Sequence, residues 1–191
     1  MGLLAQLIDQ FVDSIKSDTT HIYNEFSLQH ELGIFMRGNF PGHHVRFERN
    51  VTDIFDSRGS FTKREIDICV FFPDKTPHGK KVYAIELKYP RNGQYPEQMF
   101  GFCKDIAFVE ELHAAGFSSA AVVIFADELP FYQGSSSGIY GLFRGGQVIH
   151  GRIQKPTGSR NAEVDIKGSY FVQWKPIAGK LMYCVIEIAT P

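Results

Sequence analysis

Asp67, Glu86 and Lys88 are the residues of this sequence whose types and spacing could do chemistry. Glu86 and Lys88 close the apolar run Val82-Tyr83-Ala84-Ile85, and two-residue alternation puts both side chains on one face of a strand. Asp67 stands in a second apolar run, Glu65–Phe72. A hairpin through the Gly/Pro/Lys loop 73–81 would bring Asp67 beside Glu86 and Lys88. Ionisable groups at the end of a buried strand are costly unless they pair or bind an ion. Two acids and an amine gathered there are therefore either a cross-strand ion pair or a site.

The elements around the hairpin decide what can reach it. Leu4, Leu7, Ile8, Phe11, Val12 and Ile15 recur at helical spacing, which predicts an amphipathic packing helix over 3–16. Asn24 can cap a second helix to about Arg37. Glu25 falls on its apolar stripe with Leu28, Leu32 and Met36, so it can reach a site at the end of a sheet; Glu31, at the stripe's edge beside Phe35, is the alternative. After a turn at 39–42, His43–Val51 reads as a strand with Val45, Phe47 and Val51 on one face and Glu48 and Arg49 outside or near the site. Residues 53–62 read as a loop.

After the two hairpin strands, Pro96 suits the first turn of a helix spanning Glu97–Ala115 and closed by Gly116. Gln98 shares the face of Phe102 and Asp105 in that helix. Ser119–Phe125 is a further apolar strand, so strand, helix and strand form a crossover unit with a parallel pair. Beyond Asp127 the chain is β-rich. Residues 133–138 are a Gly/Ser loop, Ile139–Phe143 and Gln147–Ile153 are short strand candidates, and 154–168 is a polar, mobile stretch. Tyr170–Trp174 and Lys180–Ile188 make a hairpin around Pro176–Gly179. The aromatic residues of this tail suit structural packing first, a homodimer interface second and base stacking third.

Length and composition fit one domain with a sizeable core, 191 residues at 43% hydrophobic and 21% charged. A net charge of −1 argues against holding polyanions by bulk electrostatics, leaving a local patch around Lys80, Lys81, Lys88, Arg91 and Lys104. Three scattered cysteines, Cys69, Cys103 and Cys184, imply buried thiols in a reducing compartment rather than disulfides or a zinc knuckle. The N-terminal segment is interrupted by Asp9 and Asp13 and resembles neither a signal peptide nor a membrane span. A cytoplasmic protein without a membrane partner is expected. Position 34 is Ile, so His30-Glu31 does not open a zinc-protease motif, and no phosphate-binding loop or serine-nucleophile elbow is present.

Glu25, Asp67, Glu86-Leu87-Lys88 and Gln98, in the order helix, strand, strand, helix, resemble the PD-(D/E)XK (restriction endonuclease-like) nuclease superfamily over about residues 20–127. Ile66 stands where the proline of the family's name would be. The resemblance implies an α/β fold, a mixed sheet with an αβββαβ core flanked by helices, followed here by a β-rich extension at 128–191. It implies hydrolysis of phosphodiester bonds, DNA being the favoured substrate, with Mg²⁺ or Mn²⁺. Asp67, Glu86 and the Leu87 carbonyl would hold the metal, completed by Glu25. Lys88 would orient the attacking water or stabilise charge, and Gln98 would position water, lysine or phosphate. The same fold used only to bind nucleic acid or protein is the other expectation.

Overall fold

Five apolar residues at helical spacing, Leu4, Leu7, Ile8, Phe11 and Val12, are buried along one side of α1 (Leu3–Lys16). A computed structural model describes residues 2–54, 61–72, 81–158 and 162–189. In it the first turn of α1 is capped from the far end of the chain: the Leu4 and Ala5 N–H groups donate to Glu187 (3.1 and 2.9 Å). Helix α2 (Glu25–Asn39) begins at Asn24, whose side chain accepts from Ser27 N (2.8 Å) while Asn24 N donates to Ser27 Oγ (3.0 Å).

Six strands form one sheet. They are β1 (His44–Asn50), β2 (Glu65–Phe71), β3 (Val82–Lys88), β4 (Ser119–Ala126), β7 (Lys175–Ala178) and β8 (Leu181–Ala189), in the order β1-β2-β3-β4-β8-β7. The pairing is antiparallel except between β3 and β4, the parallel pair expected across helix α3 (Tyr95–Ala114). The architecture is thus mixed α/β with a mainly antiparallel sheet and a β-rich C-terminus. The Gly/Pro/Lys loop expected at 73–81 and part of the loop at 53–62 lie outside the described residues.

Helices α1 and α2 cover one face of the sheet, burying Leu28, Leu32, Met36, Ile68, Ile85, Leu87, Val123 and Phe125 among others. Helix α3 covers the opposite face. Its apolar residues extend beyond one stripe, because it is also covered on its outer side by a two-stranded sheet, β5 (Ile149–Gln154) with β6 (Glu163–Tyr170). No helix among the described residues is long and apolar enough to cross a membrane. The cysteines are free and buried, and burial pushes the Cys69 and Cys103 thiols up to about 12.

Several local expectations are corrected. Ile139–Phe143 is a short helix, α4, not a strand; Ile139 and Phe143, four apart, share a side, and Phe143 packs on Phe102 (5.5 Å between ring centroids). The polar stretch 154–168 is not mobile throughout, since much of β6 lies in it. Glu110 of α3 pins that strand by accepting from Lys167 N (2.9 Å), Gly168 N (2.6 Å) and the Tyr170 hydroxyl (2.8 Å). The final hairpin pairs β7 with β8 through a turn at Gly179-Lys180, so Tyr170 belongs to β6 and Pro176 sits within β7. Proline is tolerated there because β7 is the edge strand. Val51 does not share a face with Val45 and Phe47. Glu48 has φ 47°, the chain turns after Asn50, and Val51 enters the α3-side core. The tail aromatics Phe131, Phe143 and Tyr183 are buried, which fits packing; Phe171 is exposed.

Candidate active site

The site begins where β2 and β3 part company. Their ladder runs from Phe71↔Val82 to Ile68↔Ile85 and stops, while β3 continues beside β4 as far as Lys88↔Ile124. Beyond the last rung the backbone amides need other acceptors. Asp67 N donates to Glu86 Oε1 (3.3 Å) and Leu87 N donates to Asp67 Oδ2 (2.7 Å). The two acids therefore hold the splayed strands together with their side chains. Glu86 is fully buried, and Asp67 is buried with a small open edge.

Lys88, one turn of alternation beyond Glu86, donates to the Leu87 carbonyl (2.7 Å). Its ammonium lies 3.5 Å from Asp105 Oδ2 and 3.9 Å from Glu25 Oε1. The first turn of α2 carries Glu25 to this end of the sheet, where Glu25 Oε2 accepts from Tyr89 N (3.0 Å). Glu31 lies elsewhere, paired with the ring of His30 (3.2 Å), so Glu25 is the α2 acid at the site. Gln98 is half-buried one turn of α3 before Gly101, and it makes no side-chain hydrogen bond to Asp67, Glu86 or Lys88. The structure brings Glu25, Asp67, Glu86, Leu87 and Lys88 together and leaves Gln98 at the margin.

Three participants were not legible as such in the sequence, and a fourth, Glu48, was expected outside or near the site. Lys63, between the loop read over 53–62 and the strand read from Glu65, pairs with Glu86 and lies 3.5 Å from Asp67 Oδ1. Asp105 interrupts the apolar stripe of α3, and that was its available signal. Gln29, four residues after Glu25, donates to the Asp67 carbonyl (2.9 Å) and to Glu48 (2.5 Å). The left-handed turn at Glu48 accompanies its place beside the site.

Two cavities flank the acids. One of about 290 Å³ is lined by Glu25, Phe26, Gln29, Glu48, Asp67 and Leu87. The other, of about 420 Å³, is lined by Thr62, Lys63, Lys88, Lys104 and Asp105, by Gly101, which leaves its wall bare, and by Glu163 and Val164 of β6. One side is acidic and the other carries three ammonium groups. The expected basic patch is divided: Lys88 and Lys104 line this cavity, and Lys80 lies outside the described residues. Lys81 precedes the opposite end of β3, about 23 Å from Lys88 at the rise of an extended strand. Arg91 is engaged by Asp127.

The electrostatics are unbalanced. Glu25, Asp67, Glu86 and Asp105 carry four negative charges when ionised, against two positive charges on Lys63 and Lys88. Burial, together with the charge of Asp67, pushes the Glu86 carboxyl up to about 8, against the attraction of Lys63. Burial likewise raises the Asp105 carboxyl, with Lys88 and Lys63 opposing. Burial would lower the Lys88 ammonium, but Asp105, Glu25 and Asp67 outweigh it and keep Lys88 charged. Asp105 Oδ2 is buried without a hydrogen bond. Four carboxyl groups facing two ammonium groups, with one carboxylate oxygen orphaned, make an oxygen-rich donor set that fits a hard divalent cation, whose charge would favour release of the Glu86 proton. Among the described residues no three acidic, imidazole or thiol side chains already converge at ligand spacing. A main-chain carbonyl and waters can complete such a site around one or two carboxylates. No protein-family model, curated protein or solved structure matches this chain.

Proposed function

We propose that the chain is a metal-dependent phosphodiesterase of the PD-(D/E)XK type acting on nucleic acid, with DNA as its first substrate class. The observation that carries this reading is the meeting of Asp67, Glu86, Leu87, Lys88 and Glu25 at the splayed end of β2 and β3. Asp67, Glu86 and the Leu87 carbonyl would hold Mg²⁺ or Mn²⁺, and Glu25 would complete the site. When bound, such a cation lowers the pKa of a coordinated water and neutralises phosphate charge.

The chain's own groups do the rest. Lys88 is held charged by Asp105, Glu25 and Asp67, so it serves as a fixed positive charge for the developing phosphorane, not as a general base. Lys104 and Lys63, on the same cavity, attract the phosphodiester to that side of the acids. Glu25 fixes the backbone after β3 through Tyr89 N, and so fixes the direction of Lys88. Water adds across one P–O bond, leaving a phosphomonoester on one fragment and a hydroxyl on the other.

A second reading is a nucleic-acid-binding module that does not cut; it draws on Lys63, whose ammonium already partners Glu86. A cleavage assay separates the two. Linear, nicked, branched and single-stranded DNA and RNA are incubated with Mg²⁺, Mn²⁺ or EDTA, using the protein and Lys88→Ala. Cutting that needs the metal and falls by about 10²–10³-fold in Lys88→Ala is expected. No cutting of any substrate, together with no metal bound, sinks the catalytic reading and leaves the binding module.

A further inference from the structure

Lys63 lies on the segment entering β2, and carboxylates from three different elements surround its ammonium. It contacts Glu86 Oε2 of β3, and stands 3.5 Å from Asp67 Oδ1 of β2 and 3.9 Å from Asp105 Oδ1 of α3. The neighbouring chain is anchored on α3. Thr62 donates its N–H and hydroxyl to Glu111 Oε2 (2.8 and 3.0 Å), and Phe61 meets Phe108 edge-on at 6.4 Å. The Lys63 ammonium is 5.9 Å from the centroid of the same Phe108 ring. Asp105 offers its other oxygen, Oδ2, which is buried and makes no hydrogen bond, with Lys88 Nζ 3.5 Å away.

We propose that Asp67, Glu86 and Asp105 form the divalent-cation seat, that the Lys63 ammonium holds this seat as a tethered counter-cation while the protein is metal-free, and that it withdraws when the cation binds. The inference rests on the metal-dependent reading above and adds to it a carboxylate from α3 and a built-in competitor. One ammonium cannot satisfy three carboxyl groups at once, although Asp105 also faces Lys88. At 3.5 and 3.9 Å from Asp67 and Asp105 the ammonium is beyond the roughly 2.7–2.9 Å of a charge-assisted hydrogen bond, so it compensates these two carboxyl groups without saturating them. A divalent ion brings twice the charge at closer range. The Lys63 side chain is about one-third exposed on a flexible four-carbon stem and already lines the larger cavity, so it has somewhere to go. There it joins Lys88 and Lys104 on the side where a phosphate would lie. The arrangement keeps the acids together without metal and lowers affinity for the metal, since binding must first displace the ammonium.

Calorimetric titration of Mn²⁺ into the purified full chain, without nucleic acid, tests this. Lys63→Met is expected to bind Mn²⁺ on the order of tenfold more tightly than the wild type, because the competing charge is gone. Lys63→Arg, which keeps the charge, is expected to bind like the wild type, and Asp105→Asn on the order of tenfold more weakly. Thermal denaturation gives a second readout: Lys63→Met melts lower than wild type without metal and gains more from Mn²⁺. Lys63→Gln carries the same expectations and serves if Lys63→Met does not fold. Equal or weaker binding in Lys63→Met and Lys63→Gln, or unchanged binding in Asp105→Asn, overturns the proposal while leaving a metal-dependent enzyme in place. No Mn²⁺ binding by any of these proteins overturns both.

Discussion

Glu86→Gln makes the buried charge of the site measurable as stability. Glu86 is fully buried, and its carboxyl is pushed from the ordinary 4.5 up to about 8, first by burial and then by Asp67. The folded state therefore holds a proton that the unfolded chain has already released, and stability falls as pH rises through that interval. At about 1.36 kcal/mol per pH unit of such a difference, going from about pH 6 to about pH 9 costs the wild type roughly 2–3 kcal/mol through this group alone. The loss is complete a little above pH 8, where Glu86 is ionised in both states. Glutamine is close in shape and can still accept from Asp67 N, but it does not titrate. The variant should therefore lack this part of the slope, whatever its absolute stability once Lys63 has lost a partner. Lys63 itself adds no slope there: burial alone would lower its pKa, but Glu86, Asp67 and Asp105 outweigh burial and raise it, so it titrates at more alkaline pH. Urea denaturation in EDTA, followed by Trp174 fluorescence and circular dichroism at steps across this range, gives the difference directly. Parallel stability–pH curves for wild type and Glu86→Gln would refute the reasoning, because Glu86 would then be ionised in the fold at ordinary pH.

Gly33→Ala should cost about 1–3 kcal/mol in urea denaturation, since a Cβ there would lie 2.2 Å from Phe47 Cζ and displace that ring from between α2 and β1. Phe26→Ala should leave stability within about 0.5 kcal/mol, because the ring is 73% exposed. It should nonetheless weaken single-stranded DNA binding by about 1–3 kcal/mol in a fluorescence-anisotropy titration, since Phe26 stands on the acidic cavity where a base could stack. Glu110→Ala strands two backbone donors and a tyrosine hydroxyl of β6, so hydrogen exchange in 163–170 should accelerate and global stability should fall by about 1–3 kcal/mol.

The sequence by itself determined the elements whose side chains repeat with one period and bury one face. The stripe of α1, the cap at Asn24, the apolar runs of β2, β3 and β4 and the parallel pair across α3 were legible because local spacing and the core agree. It also determined the central acids and lysine, since charges ending an apolar strand announce themselves by their cost. Tertiary structure decided what depends on contacts between distant residues. Glu25 rather than Glu31 reaches the site because α2 enters at the end of the sheet. Lys63 and Asp105 join it because a loop and a buried helix meet the splayed strands from outside the hairpin. The spacing of Ile139 and Phe143 suits either period, and only the aromatic surface of α3 chooses the helix. Strand β6 does carry a local alternation, with Val164 and Ile166 buried between exposed Glu163, Asp165 and Lys167. Its partner strand β5 and the Glu110 acceptors that pin its end, however, come from elsewhere in the chain. Periodicity reports burial along one element, whereas charge pairing and capping across the fold require neighbours that sequence distance hides.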